Sequence, residues 1–305
     1  MPALNELTPT MKSSSILVSL ALLVFGSNVL AEEGSAFSHA IVGGVFPYVA
    51  QSGDRLSRVG ARFGVSATIL AKANNLDRKV PLAAGDALWI DNLHIVPEWR
   101  ENGIVINLPQ RMLFFFQKGA LAAAFPVGVG KPDWPTPTGN FKVVDLQTDK
   151  SWLVPLSIQE EMREEGKEVI TRVPPGPKNP LGRHWISLSA VGYGIHGTIS
   201  PASVYGFQSH GCIRAHPDDI ETLSQGAEVG ADVALAYRTT LLAETQDGRV
   251  YVEVHPDVYK RGIVPLDEIR RQARDYGLAD RIDWPRTIEA IQRQDGLATD
   301  VTQSR

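Results

Sequence analysis

The sequence predicts a mainly β protein: a larger β-sandwich with a helical and loop lid, preceded by a small βααβ module. Three observations carry this. Residues 98–238 hold short apolar runs separated by glycine and proline signals, the pattern of a mostly antiparallel sandwich or barrel. Residues 46–92 read strand, helix, helix, strand. The chain has 305 residues, 43% apolar and 21% charged, enough for about two cores. That composition excludes wholesale disorder, a collagen-like repeat and a polytopic membrane protein. A net charge of −4 argues against a general field for nucleic acid. A single cysteine excludes a disulfide scaffold.

In chain order, Lys12 precedes an apolar run from Ile16 to Leu30, which ends at Val29-Leu30-Ala31 before Glu32-Glu33. The run is shorter than the roughly 20 residues that span a bilayer, and small residues stand at −3 and −1. Residues 1–31 are therefore expected to be a cleaved secretory signal rather than an uncleaved anchor, with Met1 or Met11 as the start, and the body is expected in the periplasm. Residues 32–43 read as a linker. In the module, Phe46–Ala50 is a strand, Asp54 a candidate N-cap for a helix carrying Leu56, Val59 and Phe63, and Ser66 a cap for a helix carrying Ile69, Leu70 and Ala73. Ala87–Ile90 closes the unit.

The larger domain begins with the runs 103–108, 111–116 and 120–129, with Gln117-Lys118-Gly119 as a hairpin turn. Residues 151–183 interrupt the strands with a charged helix over Ile158–Glu168 and an irregular Pro174–Gly182 loop, the makings of a lid. The acidic set Glu160, Glu161, Glu164 and Glu165 reads as a solvated helix face. Pro217 suits the first position of a helix, and Ala231–Tyr237 is a strand. Residues 239–305 are expected to hold a hairpin over Glu244–Val254, helices over about 265–276 and 284–292, and a frayed last dozen residues.

Reactive side chains concentrate in residues 196–214, which contain His196, His210, Cys212 and Arg214. A free thiol is mostly protonated at neutral pH, and an imidazole that takes its proton makes it a nucleophile. His196 lies sixteen residues before Cys212, room for a loop that returns alongside. Gly211 leaves space for a substrate carbonyl, with the Gly211 and Cys212 amides facing an oxyanion. Ser209 reads as a hydrogen-bonding structural residue. Two blander readings compete: an inert packed cysteine, and a zinc set of His196, His210, Cys212 and His216, whose spacing matches no common ligand pattern. His39, His94, His184, His216 and His255 read as surface or packing residues, with His184 and Trp185 at the lid edge.

Two resemblances sharpen this. Tyr48-Val49, Gly53-Asp54-Arg55-Leu56, Phe63-Gly64-Val65-Ser66, Leu70, Asn74-Asn75-Leu76, Leu82 and Gly85-Asp86-Ala87-Leu88 resemble a LysM module, with Arg55 and Gly60 as departures. This implies binding to N-acetylglucosamine-containing glycan. His196-Gly197-Thr198 with Ser209-His210-Gly211-Cys212-Ile213-Arg214 resembles the signature of the L,D-transpeptidases of the YkuD type. Gly128–Lys131, Thr136–Phe141 and Asn179–Gly182 support it, and the whole arrangement resembles the LysM-bearing ErfK/YbiS-like group. The resemblance implies Cys212 as nucleophile, His196 as base, His210 and Arg214 as shaping residues, and a Gly197 carbonyl that holds the base.

It also implies the chemistry: a thioester at the third-position diaminopimelate of a peptidoglycan tetrapeptide, release of D-Ala, and transfer to an amine. The expected acceptor is an outer-membrane lipoprotein lysine; a second diaminopimelate, giving 3→3 cross-links, or water, giving L,D-carboxypeptidase action, are the alternatives. No cofactor or metal is called for, and carbapenems are expected to acylate Cys212. A rival of another class is a non-catalytic peptidoglycan-binding protein.

Overall fold

The computed structural model describes residues 38–79 and 81–304; the expected signal segment and the first half of the expected linker lie outside them. No helix among the described residues is long and apolar enough to cross a membrane.

Strand β1 (Ile41–Val42) leads into the βααβ module: β2 (Val45–Val49), α1 (Leu56–Phe63), α2 (Ala67–Ala73) and β3 (Ala87–Asp91). β2 and β3 pair antiparallel, and Leu56, Val59, Val65, Leu70, Leu88 and Ile90 fill the space beneath the helices. Ser66 caps α2 as expected, its Oγ accepting the Ile69 amide at 3.2 Å. Asp54 does not cap α1. The helix starts one residue later, behind Arg55, and the Asp54 carboxylate instead takes the Tyr48 hydroxyl at 2.5 Å and the Gln51 amide at 2.8 Å. Gly60 sits inside α1 because a Cβ there would come within 2.3 Å of the Val65 carbonyl, where the chain turns into α2.

The larger domain follows β4 (His94–Ile95) with β5 (Gly103–Asn107), β6 (Met112–Gln117), β7 (Ala120–Gly130), β8 (Gly139–Thr148), β9 (Trp152–Leu153), α3 (Leu156–Glu164), β10 (Arg172–Val173), β11 (His184–Leu188), β12 (Gly194–His196), β13 (Phe207–Ser209), β14 (Ile213–Ala215), α4 (Pro217–Gly226) and β15 (Asp232–Ala236). Among the described residues one sheet runs β13-β7-β14-β12-β11-β8-β15-β5-β6, and β6 pairs back on β7. The expected layers are thus one sheet closed on itself. The first half of the long β7 pairs with β6 and its last residues with β14 and β13, which carries the chain across the seam. Pairing is mostly antiparallel; β12–β14, β13–β7 and β15–β5 are parallel. Ile104, Ile106, Leu113, Val127, Val129, Ile186, Ile195, Ile213, Val233 and Leu235 fill the interior, closed by Ile220 and Leu223 of α4. The lid is α3 held between the paired β9 and β10.

The C-terminal part comprises β16 (Thr240–Glu244), β17 (Val250–Val254), α5 (Pro265–Asp275), α6 (Trp284–Arg293) and β18 (Thr299–Asp300). Both helices fall where expected, whereas the hairpin begins at Thr240, four residues before the expected Glu244. The last dozen residues are not frayed: β18 pairs with β17, Val301 is fully buried, and the Ala298 amide donates to Leu93 O at 2.9 Å. Two apolar anchors in a polar run suffice to fix it.

A fully buried carboxylate joins these parts. Glu253 of β17 accepts from the Ile95 amide (2.6 Å), Gln110 Nε2 (3.0 Å), His255 Nε2 (2.8 Å) and His94 Nδ1 (2.8 Å). His94 Nε2 reaches Gly64 O, at the end of α1, at 2.9 Å. One side chain therefore ties the C-terminal hairpin to the module and to the closed sheet. Arg62 of α1 adds a surface tie to Asp219 of α4 at 2.9 Å.

Candidate functional site

The site follows from strand alternation. β12 and β14 lie side by side and parallel, with Ile195 beside Ile213 and His196 beside Arg214. Ile195, Ile213 and Ala215 point into the closed sheet. Period-two alternation puts Gly194, His196, Cys212 and Arg214 on the opposite face. β7 runs along the other edge of β14, Gly128 paired with Arg214. Gly128 and Gly130 let other backbone close on this strand: a Cβ would stand 2.7 Å from Ser203 O at Gly128 and 2.2 Å from Trp134 O at Gly130.

The turn entering β14 is held from two sides. Ser209 Oγ donates to Cys212 O at 2.5 Å and accepts the Gly211 amide at 3.1 Å. Thr136 Oγ1 donates to Gly211 O at 2.8 Å and accepts the Gly130 amide at 2.9 Å. Gly211 adopts φ +99°, and a Cβ there would stand 2.6 Å from the Tyr193 ring, so only glycine fits. Ser209 is the structural residue it was read as. The paired-amide oxyanion expectation is corrected, because the Gly211 N–H is consumed by Ser209.

The Cys212 thiol is half-exposed but crowded by protein, with Sγ 3.7 Å from Gly192 O. Burial pushes the thiol up, and the Gly194 backbone and the Arg214 charge oppose this. His196 is buried, its ring stacked on Trp185 with centroids 5.5 Å apart and planes at 20°. Burial and then the Arg214 charge push its pKa down to about 4. Nδ1 lies 2.6 Å from Gly197 O. A carbonyl can only accept, so in the neutral ring Nδ1 carries the proton and Nε2 the lone pair; the Leu181 backbone is a second partner of the ring. Gly197 thus stands as the resemblance implies. In this arrangement the thiol turns to Gly192 O rather than to the imidazole. Both shifts favour the uncharged thiol and imidazole.

The Asn179–Gly182 segment buttresses this base. Buried Asn179 donates from Nδ2 to Lys150 O at 2.8 Å and accepts the Leu181 amide at 3.0 Å. Gly182, at φ +66°, lies so close to Gly197 that a Cβ would sit 3.0 Å from it.

His210 faces the lid. Its Nε2 lies 2.7 Å from Glu161 of α3, Glu161 accepts from Lys131 Nζ at 2.8 Å, and Trp134 packs on the His210 ring at 5.4 Å. Glu161 is therefore not part of a plain solvated face. Its carboxyl is held below the usual range by Lys131 and His210. Glu160 and Glu165 pair only within the lid, with Arg163 and Lys167. The zinc alternative does not assemble: His196 is held by Gly197 O, His210 by Glu161, and His216 sits at the start of α4 with Nδ1 on the Asp218 amide at 3.4 Å. Among the described residues no three His, Cys, Asp or Glu are placed to hold a metal. His184 hydrogen-bonds Ser224 Oγ at 3.2 Å, whereas Trp185 lies directly under the base.

Comparison with known proteins agrees with this geometry. Residues 101–235 match the family model for the L,D-transpeptidase catalytic domain, and residues 48–91 match that for the LysM domain. A probable L,D-transpeptidase of Escherichia coli, YcfS, is 32% identical over 216 residues, covering 69% of this chain and 67% of that protein. The chain belongs to the L,D-transpeptidase family. The probable L,D-transpeptidase ErfK/SrfK of Salmonella typhimurium is 28% identical over 260 residues, 82% of this chain and 83% of the relative. Its E. coli namesake is 26% identical over 310 residues, 96% and 98% of the two chains. Membership makes this chain an acyltransferase of peptidoglycan; His196 ends β12, and Cys212 immediately precedes the adjacent β14.

Proposed function

We propose that Cys212 attacks the carbonyl of diaminopimelate at the third position of a tetrapeptide stem, with His196 as base. The thiol proton passes to His196 Nε2 as the S–C bond forms. The amide C–N bond breaks and the leaving D-Ala amine takes that proton from the imidazole. In the second half an amine attacks the thioester, a C–N bond forms, the C–S bond breaks, and the sulfur is reprotonated through His196. The observation that carries this reading is the Nδ1 bond to Gly197 O on a strand lying directly beside that of Cys212, which leaves Nε2 as the acceptor. The Cys212 amide serves the oxyanion, since the Gly211 amide is engaged. His210 shapes the turn from the lid side.

The acceptor in this reading is a lysine of an outer-membrane lipoprotein, following the resemblance to the LysM-bearing group, and the LysM module binds wall glycan. The protein is exported to the periplasm, and a carbapenem acylates Cys212. The test uses purified wild type and Cys212→Ala with a disaccharide-tetrapeptide donor and a lysine-bearing peptide, read by mass spectrometry. D-Ala release with a peptide adduct, absent in the alanine variant, supports the whole reading. A stem dimer or free tripeptide instead redirects the acceptor to diaminopimelate or water. No release from any stem refutes the donor assignment.

A further inference from the structure

The site contains a cation without a partner. Arg214 is half-buried and makes no hydrogen bond or ion pair with any described residue. Other half-buried arginines are satisfied: Arg62 by Asp219, Arg238 by Glu98. Taking a guanidinium partly out of water without an anion costs solvation free energy, and a bound anion is the usual compensation. The position says which anion. Arg214 lies in β14 two residues after Cys212, which immediately precedes that strand, about 6–7 Å at extended spacing. It is also the register neighbour of His196. In a peptide cleaved by the Cys212 sulfur, the terminal carboxylate of a single leaving residue lies on the order of 4 Å beyond the scissile carbonyl carbon. The imidazole that hands the leaving amine its proton, and the guanidinium that would meet the same residue's carboxylate, therefore stand side by side. Arg214 is also close enough to both reacting groups for its charge to act on the Cys212 thiol and on the His196 ring.

We propose that Arg214 binds the free α-carboxylate of the departing residue, so that the site selects stems that end one residue beyond the attacked carbonyl. This rests on the thioester reading above. Longer stems would present an amide to the guanidinium, lose the charge-assisted fork and be rejected. The anion has two possible sources in a stem, the terminal carboxylate and the side-chain carboxylate of diaminopimelate. The experiment separates them.

Three tetrapeptide donors are compared: unmodified, terminal carboxamide, and diaminopimelate side-chain carboxamide. Each is tested with wild type, Arg214→Met and Arg214→Lys for fourth-residue release, with Cys212 acylation by a carbapenem followed by intact mass as a separate check on the thiol. Wild type should favour the free terminal carboxylate over its amide by roughly 100-fold, because a charged partner left unpaired is strongly disfavoured. Arg214→Met should bring the two within a few-fold, and Arg214→Lys should restore part of the preference. A ratio cancels any general loss of folded enzyme. The proposal is overturned if the terminal preference survives in Arg214→Met, or if Arg214 governs the side-chain amide instead. Wild type that is acylated by the carbapenem yet shows no terminal preference sinks the proposal and leaves the thiol chemistry standing. Wild type inert to every donor and to the carbapenem removes both.

Discussion

Replacing Glu253 by alanine should loosen all three parts of the chain at once. The substitution removes the acceptor for the Ile95 amide, His94, Gln110 and His255, all in a region with no access to water. Each buried donor left unmade costs about 1–3 kcal/mol, and truncating one side of a buried charged network typically costs about 3–5 kcal/mol in total. At roughly 2–4 °C per kcal/mol for a chain of this size class, the midpoint should fall by about 10 °C or more. Calorimetry or circular dichroism at pH 7 reads it. Glu253→Gln keeps the volume and one acceptor and should lose about half as much.

The acid limb of the same network is a second reading of one cause. Burial alone would raise the Glu253 carboxyl, but the facing His94 and His255 outweigh it and bring the pKa down to about 2 from an ordinary 4.5. A depressed carboxylate contributes stability that is full above its unfolded pKa and is lost as pH falls toward the folded one. Here that window is pH 5 to 2 and the amount is about 3 kcal/mol. His255, held down by burial, has the same sign from its ordinary value near 6.5 downward. Wild type should therefore lose more stability than Glu253→Gln on acidification. A midpoint for Glu253→Ala within 3 °C of wild type at pH 7, or parallel acid limbs in wild type and Glu253→Gln, would refute the reasoning.

Two further outcomes follow from the site. Alkylation of Cys212 in the free protein should show a pH midpoint above that of an ordinary thiol, because burial raises it, and Arg214→Met should move it higher still by removing a favourable charge; a midpoint near or below neutrality would contradict the upward shift. Glu161→Gln should speed amide hydrogen exchange in residues 150–173 and lower turnover by a few-fold to about tenfold, since a single partly exposed pair is modest in energy; unchanged exchange there would mean that the bond to His210 does not hold the lid.

What was legible in the sequence is what alternation and turn chemistry encode locally. The strands from Gly103 to Gly130 and the lid helix follow from short apolar runs and breakers. So does the hairpin turn at Lys118 and Gly119, both at positive φ. The thiol, the imidazole and the Gly197 carbonyl came from two short motifs that the fold sets on adjacent strands. What was not legible depends on partners far along the chain. Glu161 meets His210 across 49 residues, and nothing in a helix with three glutamates says which of them faces inward. Glu253 looks like a solvent residue of a hairpin until His94, 159 residues earlier, is placed beside it. The engaged Gly211 amide depends on the Ser209 rotamer, which no pattern reports.

The direction of the two shifts also bears on the lone cysteine. Oxidation of a thiol proceeds through the thiolate and follows exposure. Here burial raises the thiol and lowers the imidazole, which favours the uncharged form of both. Proton transfer from Cys212 to His196 then needs something that favours the ion pair. An anion on Arg214 would act on both groups: it would ease protonation of His196, which the Arg214 charge holds down, and remove the charge that helps the Cys212 thiolate. The two effects oppose each other, so the carboxylate's place in this site is recognition and alignment of the leaving residue rather than activation of the thiol.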